Sequence, residues 1–252
     1  MRFSTKANNL KSIKSKYKLV PKFITISYNN FLNKKNFYLN KIKDEFHGNI
    51  IIRSSNSKED GYKVSNAGKF LSILNINPKK THAVEKAIVK VFRSYGKKNF
   101  NEEVIIQEMV RNVRYSGVAL SADKDNFSPY YIINYSKSYK TDLVTSGKNN
   151  VKTFIYFKES PFKPKDRFLK KVISLLNKLT NITKNEFLDI EFAIDKNDKL
   201  YLLQLRPVVK NLKTENFSFF SAALNKLYKK LRKLNKKIPG LDGDKTYFGV
   251  MP

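Results

Sequence analysis

This sequence predicts a mixed α/β (α+β) fold, on three observations. Leu188–Pro207 reads as two strands joined by a short turn, because apolar and polar residues alternate on both sides of Lys196-Asn197-Asp198-Lys199. Ile50-Ile51-Ile52 is a short apolar run of the kind that forms a buried strand. Residues 83–95 and 164–179 instead carry apolar residues at helical spacing. With 252 residues, 41% of them hydrophobic, the chain is long enough for one large domain or two modest lobes, and too apolar for wholesale disorder.

Taken in order, residues 5–17 read as a helix through Leu10, Ile13 and Tyr17. Phe23–Ser27 follows Pro21 as a strand, and Tyr28–Phe46 reads as one helix with a mixed apolar face. Arg53 stands at the end of the Ile50–Ile52 strand, where a strand delivers side chains into a cleft. Pro78 suits a helix start, and the face built from Ala83, Val84, Ala87, Ile88, Val91, Phe92 and Tyr95 ends at Gly96. The polar residues 97–102 read as a link to a second half. That half opens with strands at Val104–Val110 and Ser116–Leu120, continues with Tyr130–Tyr135 and Val151–Lys158, and then forms the 164–179 helix with Phe168, Val172, Leu175, Leu176 and Leu179 inward.

In the hairpin, Leu188, Ile190, Phe192 and Ile194 point one way, and Asp189, Glu191, Ala193 and Asp195 the other. On the second strand Leu200, Leu202, Gln204 and Arg206 share a face, with Tyr201, Leu203 and Leu205 opposite. A four-residue loop places Glu191 across from Gln204 and Asp189 across from Arg206. Two carboxylates and an amide offer the hard oxygens that suit Mg²⁺, and an arginine beside them can grip phosphate with two parallel hydrogen bonds. The same pattern also describes the solvated outer face of an ordinary hairpin.

Several function classes are disfavoured. There is no cysteine, so disulfides and thiolate metal sites are excluded, and His47 and His82 are too few for a histidine metal cluster. No apolar run approaches the roughly 20 residues that span a bilayer, and the basic N-terminus lacks the apolar core of a secretory signal. A cytoplasmic protein is expected. The net charge of +29 is lysine-rich and spread along the whole chain, without a nucleic-acid motif, so salt-sensitive adhesion to polyanions is expected but no specific nucleic-acid partner. Gly68-Lys69 is followed by Phe70 rather than Ser or Thr, which argues against a phosphate-binding P-loop.

The segments DIEFAID…LYLLQLRP, RSS…ED…SNAG, QEMV and SGVAL resemble, in order, the nucleotide-binding domain of the phosphoenolpyruvate synthase / pyruvate, phosphate dikinase family. The resemblance implies an ATP-grasp fold, in which two lobes with antiparallel sheets clamp ATP. It gives lobes at 1–100 and 101–210, followed by a basic linker helix within 211–252. It implies ATP and Mg²⁺ as cofactors, and phosphoryl transfer to a histidine on a separate carrier domain and then to an acceptor held by a further domain. Under it Arg53 and Arg206 are catalytic, and Glu191, Gln204 and Asp189 hold the metal. Lys6, Arg53, Ser72, Gln107, Met109, Val110, Gln204 and Arg206 contact the nucleotide, with Ser65, Ala67 and Gly68 in a loop closing over the phosphates. Ser4 and Thr5 stand where the family places glycines before the lysine. Met109 is equally well read as core, Lys6 as a solvated surface lysine, and Arg53 as half of a surface ion pair. TDLVTSG, which includes Gly147, and TYFGVMP resemble the glutamine-kinase-like subgroup of capsule phosphoramidate synthesis, which points to a glutamine amide as acceptor and to a chain cut short. Alternatives are a degenerate, non-catalytic remnant or a basic protein that binds nucleic acid or membrane. The helix at 217–237, rich in lysine opposite its apolar side, fits either a linker packed on the domain or a surface for membrane or acidic partners.

Overall fold

The computed structural model describes residues 3–15, 17–56, 71–96, 102–124, 127–137, 151–208 and 217–234. Expectations placed on Glu59-Asp60, Ser65, Ala67, Gly68, Gly147 and residues 235–252 concern positions outside these. The chain divides into two compact units, Met1–Leu212 and Lys213–Pro252.

The first unit holds two antiparallel sheets. Its elements are α1 (Lys6–Lys14), β1 (Phe23–Ser27), α2 (Tyr28–Asn33), α3 (Lys35–Glu45), β2 (Ile50–Ser55), β3 (Ser72–Ile76), α4 (Thr81–Arg93), β4 (Glu103–Glu108), β5 (Val113–Leu120), β6 (Tyr130–Ser136), β7 (Lys152–Phe157), α5 (Arg167–Thr183), β8 (Leu188–Asp195) and β9 (Leu200–Pro207). The strand orders are β1-β4-β2-β3 and β7-β6-β5-β8-β9. In the second unit, α6 spans Phe217–Leu234.

Periodicity explains most of this. α4 turns Val84, Ala87, Ile88, Val91 and Phe92 onto Ile50, Ile52, Val104 and Ile106 of the first sheet, which forms one core with α2 and α3. Each such aliphatic group contributes about 2 kcal/mol relative to exposure. α5 does the same for the second sheet. Phe168, Val172, Leu175, Leu176 and Leu179 are buried as expected, against Ile190, Phe192, Leu202 and Leu205.

Three details differ from the sequence reading. The expected Tyr28–Phe46 helix is two helices, broken where Lys34 leaves helical geometry at φ −131° and ψ 41°. β4 belongs to the first sheet, held between β1 and β2, because Val104 and Ile106 complete the core under α3 and α4. The crossing between sheets falls at residues 109–112.

The hairpin reaches its expected pairing by another route. The amide of Asp198 donates to the Asp195 carbonyl and that of Asp195 to the Lys199 carbonyl, so the loop has three residues, with Asp198 at φ 61°. The Asp195 carboxylate fastens it by accepting from the amides of Asn197 and Lys199, both at 2.9 Å. A bulge then supplies the missing residue. Phe192 pairs with Leu202, but Glu191 pairs with Gln204 and Asp189 with Arg206, leaving Leu203 extra. The bulge reverses the expected facing of Leu202, so that both Leu202 and Leu205 enter the core while Gln204 and Arg206 face outward with the carboxylates.

Gly117 of β5 shows why a side chain is missing from the middle of that strand. A Cβ there would lie 2.2 Å from the Asn134 carbonyl oxygen and 2.9 Å from the ring of Phe192. Gly117→Ala is expected to lower stability by about 2 kcal/mol, measured by chemical denaturation, because the nearest clash is with backbone that cannot swing away.

Candidate functional site

β2 turns Ile50 and Ile52 into the helix-covered core, and so presents Ile51, Arg53 and Ser55 on the opposite face. β8 and β9 turn their leucines, isoleucines and Phe192 toward α5, and so present Asp189, Glu191, Gln204 and Arg206 on theirs. The two faces meet at Arg53. Its Nη2 donates to Glu191 Oε2 at 2.8 Å and to Gln204 Oε1 at 2.5 Å. Its Nη1 donates to the carbonyl of Leu203 at 3.2 Å, so the oxygen freed by the bulge is used. Arg53 Nε is buried with no hydrogen-bond partner among the described residues. Beside this pair, Arg206 reaches Asp189 Oδ2 with both Nε and Nη2, at 2.8 and 2.6 Å.

Lys6 completes the cluster from the first turn of α1, buried at 8% exposure. Three contacts fix it there. Thr5 caps the helix through the Asn8 amide, the Ala7 amide donates to Ser55 Oγ at 3.0 Å, and Asn9 Nδ2 donates to the Leu205 carbonyl at 3.1 Å. Asn9 is fully buried and also accepts from the Ser4 amide, so it ties the start of α1 to β9. The sequence reading missed Asn9 and Ser55. The available signal was an asparagine on the Lys6-Leu10-Ile13 face of a helix, where a polar side chain needs a partner.

The two carboxylates differ. Burial pushes Glu191 up, but Arg53 and then Lys6 outweigh it, with Arg206 behind them, and hold the group below the usual glutamate range. Burial pushes Asp189 up, Arg206 offsets this only in part, and Glu191 adds to the rise. Three cationic and two anionic side chains leave one net positive charge, and the orphaned Arg53 Nε is an unused donor. Such a site suits a polyanion. The oxygens of Glu191, Gln204 and Asp189 also form a donor set that fits Mg²⁺, which binds through one or two carboxylates and takes its other ligands from water and substrate phosphate.

The remaining expected residues come from β3, from β4 and from the segment that follows β4. Gln107 of β4 is buried at 1% exposure, on the cleft side with Ile105, and its amide nitrogen is without a partner among the described residues. Met109 and Val110 line a cavity of about 410 Å³ together with Val20, Lys22 and Tyr201. Met109 also donates its amide to the Asn49 carbonyl and accepts from the Asn75 amide at its sulfur. Tyr201 pairs with Ala193, so the cavity lies further along the hairpin face that carries Glu191, toward the turn. Asp195, which also lines it, is four residues from Glu191, about 13 Å along a strand. Ser72 is exposed on the edge strand β3, opposite Arg53 in the ladder.

A family model for the pyruvate phosphate dikinase AMP/ATP-binding domain matches residues 34–186, well over half of the chain. The chain belongs to that family. It is therefore an ATP-binding domain, the ATP-using part of an enzyme. The family match contains Arg53, Ser72, Gln107, Met109 and Val110. Lys6 and the β8–β9 hairpin lie outside it, so their place in the site rests on geometry. Among solved structures, the D-alanine-D-alanine ligase from Coxiella burnetii is similar with a TM-score of 0.50 and 11% identity, over 91% of this chain and 59% of that one. The D-alanyl-alanine synthetase A from Vibrio cholerae gives 0.46 and 13%, over 88% and 65%. The chain thus spans less than two thirds of either. At these identities the likeness shows the fold alone, which is ATP-grasp. No curated protein matches by sequence.

Proposed function

We propose that this domain binds MgATP between its two sheets and serves a phosphotransferase. The observation that carries the reading is the meeting of Arg53 from one sheet with Glu191 and Gln204 from the other. Lys6, Arg53 and Arg206 contact the phosphates. Gln107, Met109 and Val110 take the base end, where the 410 Å³ cavity lies on the same hairpin face. Ser72 borders the site from β3. Glu191 and Gln204 hold Mg²⁺, with Asp189 in support, and the ion supplies charge neutralisation at the phosphates. Arg53 and Arg206 then stabilise the charge that develops on the transferred group.

The phosphoryl acceptor on this reading is a histidine of a separate carrier domain, which passes the group to a small molecule such as the glutamine amide. Both histidines of this chain support a carrier elsewhere. His47 and His82 are both exposed, and neither is among the described residues that contact Arg53 or Arg206 in the cluster. No described helix is long and apolar enough to cross a membrane; a cytoplasmic enzyme of capsule biosynthesis is part of this proposal and rests on the sequence resemblance alone.

Thermal unfolding with MgATP tests the reading. A ligand that binds only the native state at a hundred times its Kd adds about 2.7 kcal/mol, roughly 5–10 °C for a domain of this size. The shift should require Mg²⁺. A curve that does not move with MgATP at any concentration would identify a folded remnant that binds no nucleotide.

A further inference from the structure

α6 presents a second, unrelated surface. Leu224, Leu227, Tyr228 and Leu231 recur at the three- and four-residue spacing that keeps side chains on one helix face. Leu227 is 51% exposed and Leu231 39%. Lys226, Lys229, Lys230, Arg232 and Lys233 occupy the rest of the circumference, all exposed, and the helix contains no acidic residue. At 18 residues it is about 27 Å long. It lacks the hydropathy to span a bilayer.

We propose that α6 lies in the headgroup layer of an anionic lipid surface, with its leucine stripe inserted and its lysines against the phosphates. Two features select lipid over other polyanions. A nucleic-acid backbone offers nothing for an exposed leucine stripe to bury against. A protein groove would desolvate part of a charged arc that covers more than half of the helix, whereas a lipid interface meets that arc at its flanks and leaves the remainder in water. Binding therefore needs both the charge and the stripe.

The experiment is flotation of the full chain with phosphatidylcholine vesicles, with and without phosphatidylglycerol, comparing wild type with Leu227→Gln/Leu231→Gln. Glutamine keeps helix propensity and leaves the net charge unchanged. The expected result is binding to the anionic vesicles only, weakened at least about tenfold in the variant, with the variant's thermal midpoint and its retention on DNA unaltered. Equal binding by both proteins would reduce the effect to general charge and overturn the proposal. So would binding to neutral vesicles, or to none. A lower thermal midpoint in the variant would place the leucine stripe inside the protein. Loss of DNA retention in step with vesicle binding would make nucleic acid the partner.

Discussion

Arg53→Ala is expected to lower MgATP affinity by about 100-fold, close to 2.7 kcal/mol, and to destabilise the unliganded domain as well. From β2 of the first sheet the guanidinium reaches Glu191, Gln204 and the Leu203 carbonyl of the second. Its removal leaves the Glu191 carboxylate half-buried without its nearest cation. Truncating one partner of a buried pair costs about 3–5 kcal/mol, and the side-chain exposure of Glu191, 22%, places this case near 3 kcal/mol. Arg53→Lys should recover charge but not function, because a single ammonium cannot reproduce the fork that reaches three acceptors. Calorimetric titration measures the first effect and denaturant unfolding the second. An alanine variant as stable as wild type would mean that the Arg53–Glu191 pair does not join the sheets.

Glu191→Gln is expected to abolish Mg²⁺-dependent nucleotide binding and to change the acid limb of stability. The Glu191 carboxyl is held below its ordinary value in the folded protein. Its contribution to stability is therefore present above the unfolded value, about pH 4.3, and is lost as pH falls through the lower folded value. Asp189 works in the opposite sense. Its folded value is raised, so stability is fully present below the unfolded value and is lost as pH rises through the folded one. In wild type the two partly cancel. Removing the Glu191 carboxyl leaves the Asp189 trend alone, so the variant should lose less stability between pH 5 and 3 than wild type does. Thermal midpoints across that range give the comparison. A steeper acid loss in the variant would contradict the assignment of Glu191 as the depressed group.

Much of this was legible in the residues. The alternation in Leu188–Pro207 placed Glu191 against Gln204 and Asp189 against Arg206, and the ladder has both pairs. Yet the loop is one residue shorter than expected and a bulge at Leu203 compensates. Loop length and bulges trade against each other with little trace in a pattern of period two. The helix faces of α4 and α5 were legible because burial follows spacing, apart from exposed Ala83. The break at Lys34 was not, since nothing at that position excludes helix. The pairing of Arg53 with Glu191 was also hidden, because it joins residues 138 apart in the chain. Sequence spacing constrains neighbours on one strand, whereas this contact depends on how two cores set two sheets face to face.

The measurement that bears most directly on a shared nucleotide site is a double-mutant cycle on MgATP binding by calorimetry, with Arg53→Lys, Glu191→Asp and both together. If both side chains serve one bound nucleotide, their effects should be coupled by roughly 1–2 kcal/mol, so that the double variant binds far better than the product of the single losses. Strict additivity would mean that the two sheets do not act on the same ligand.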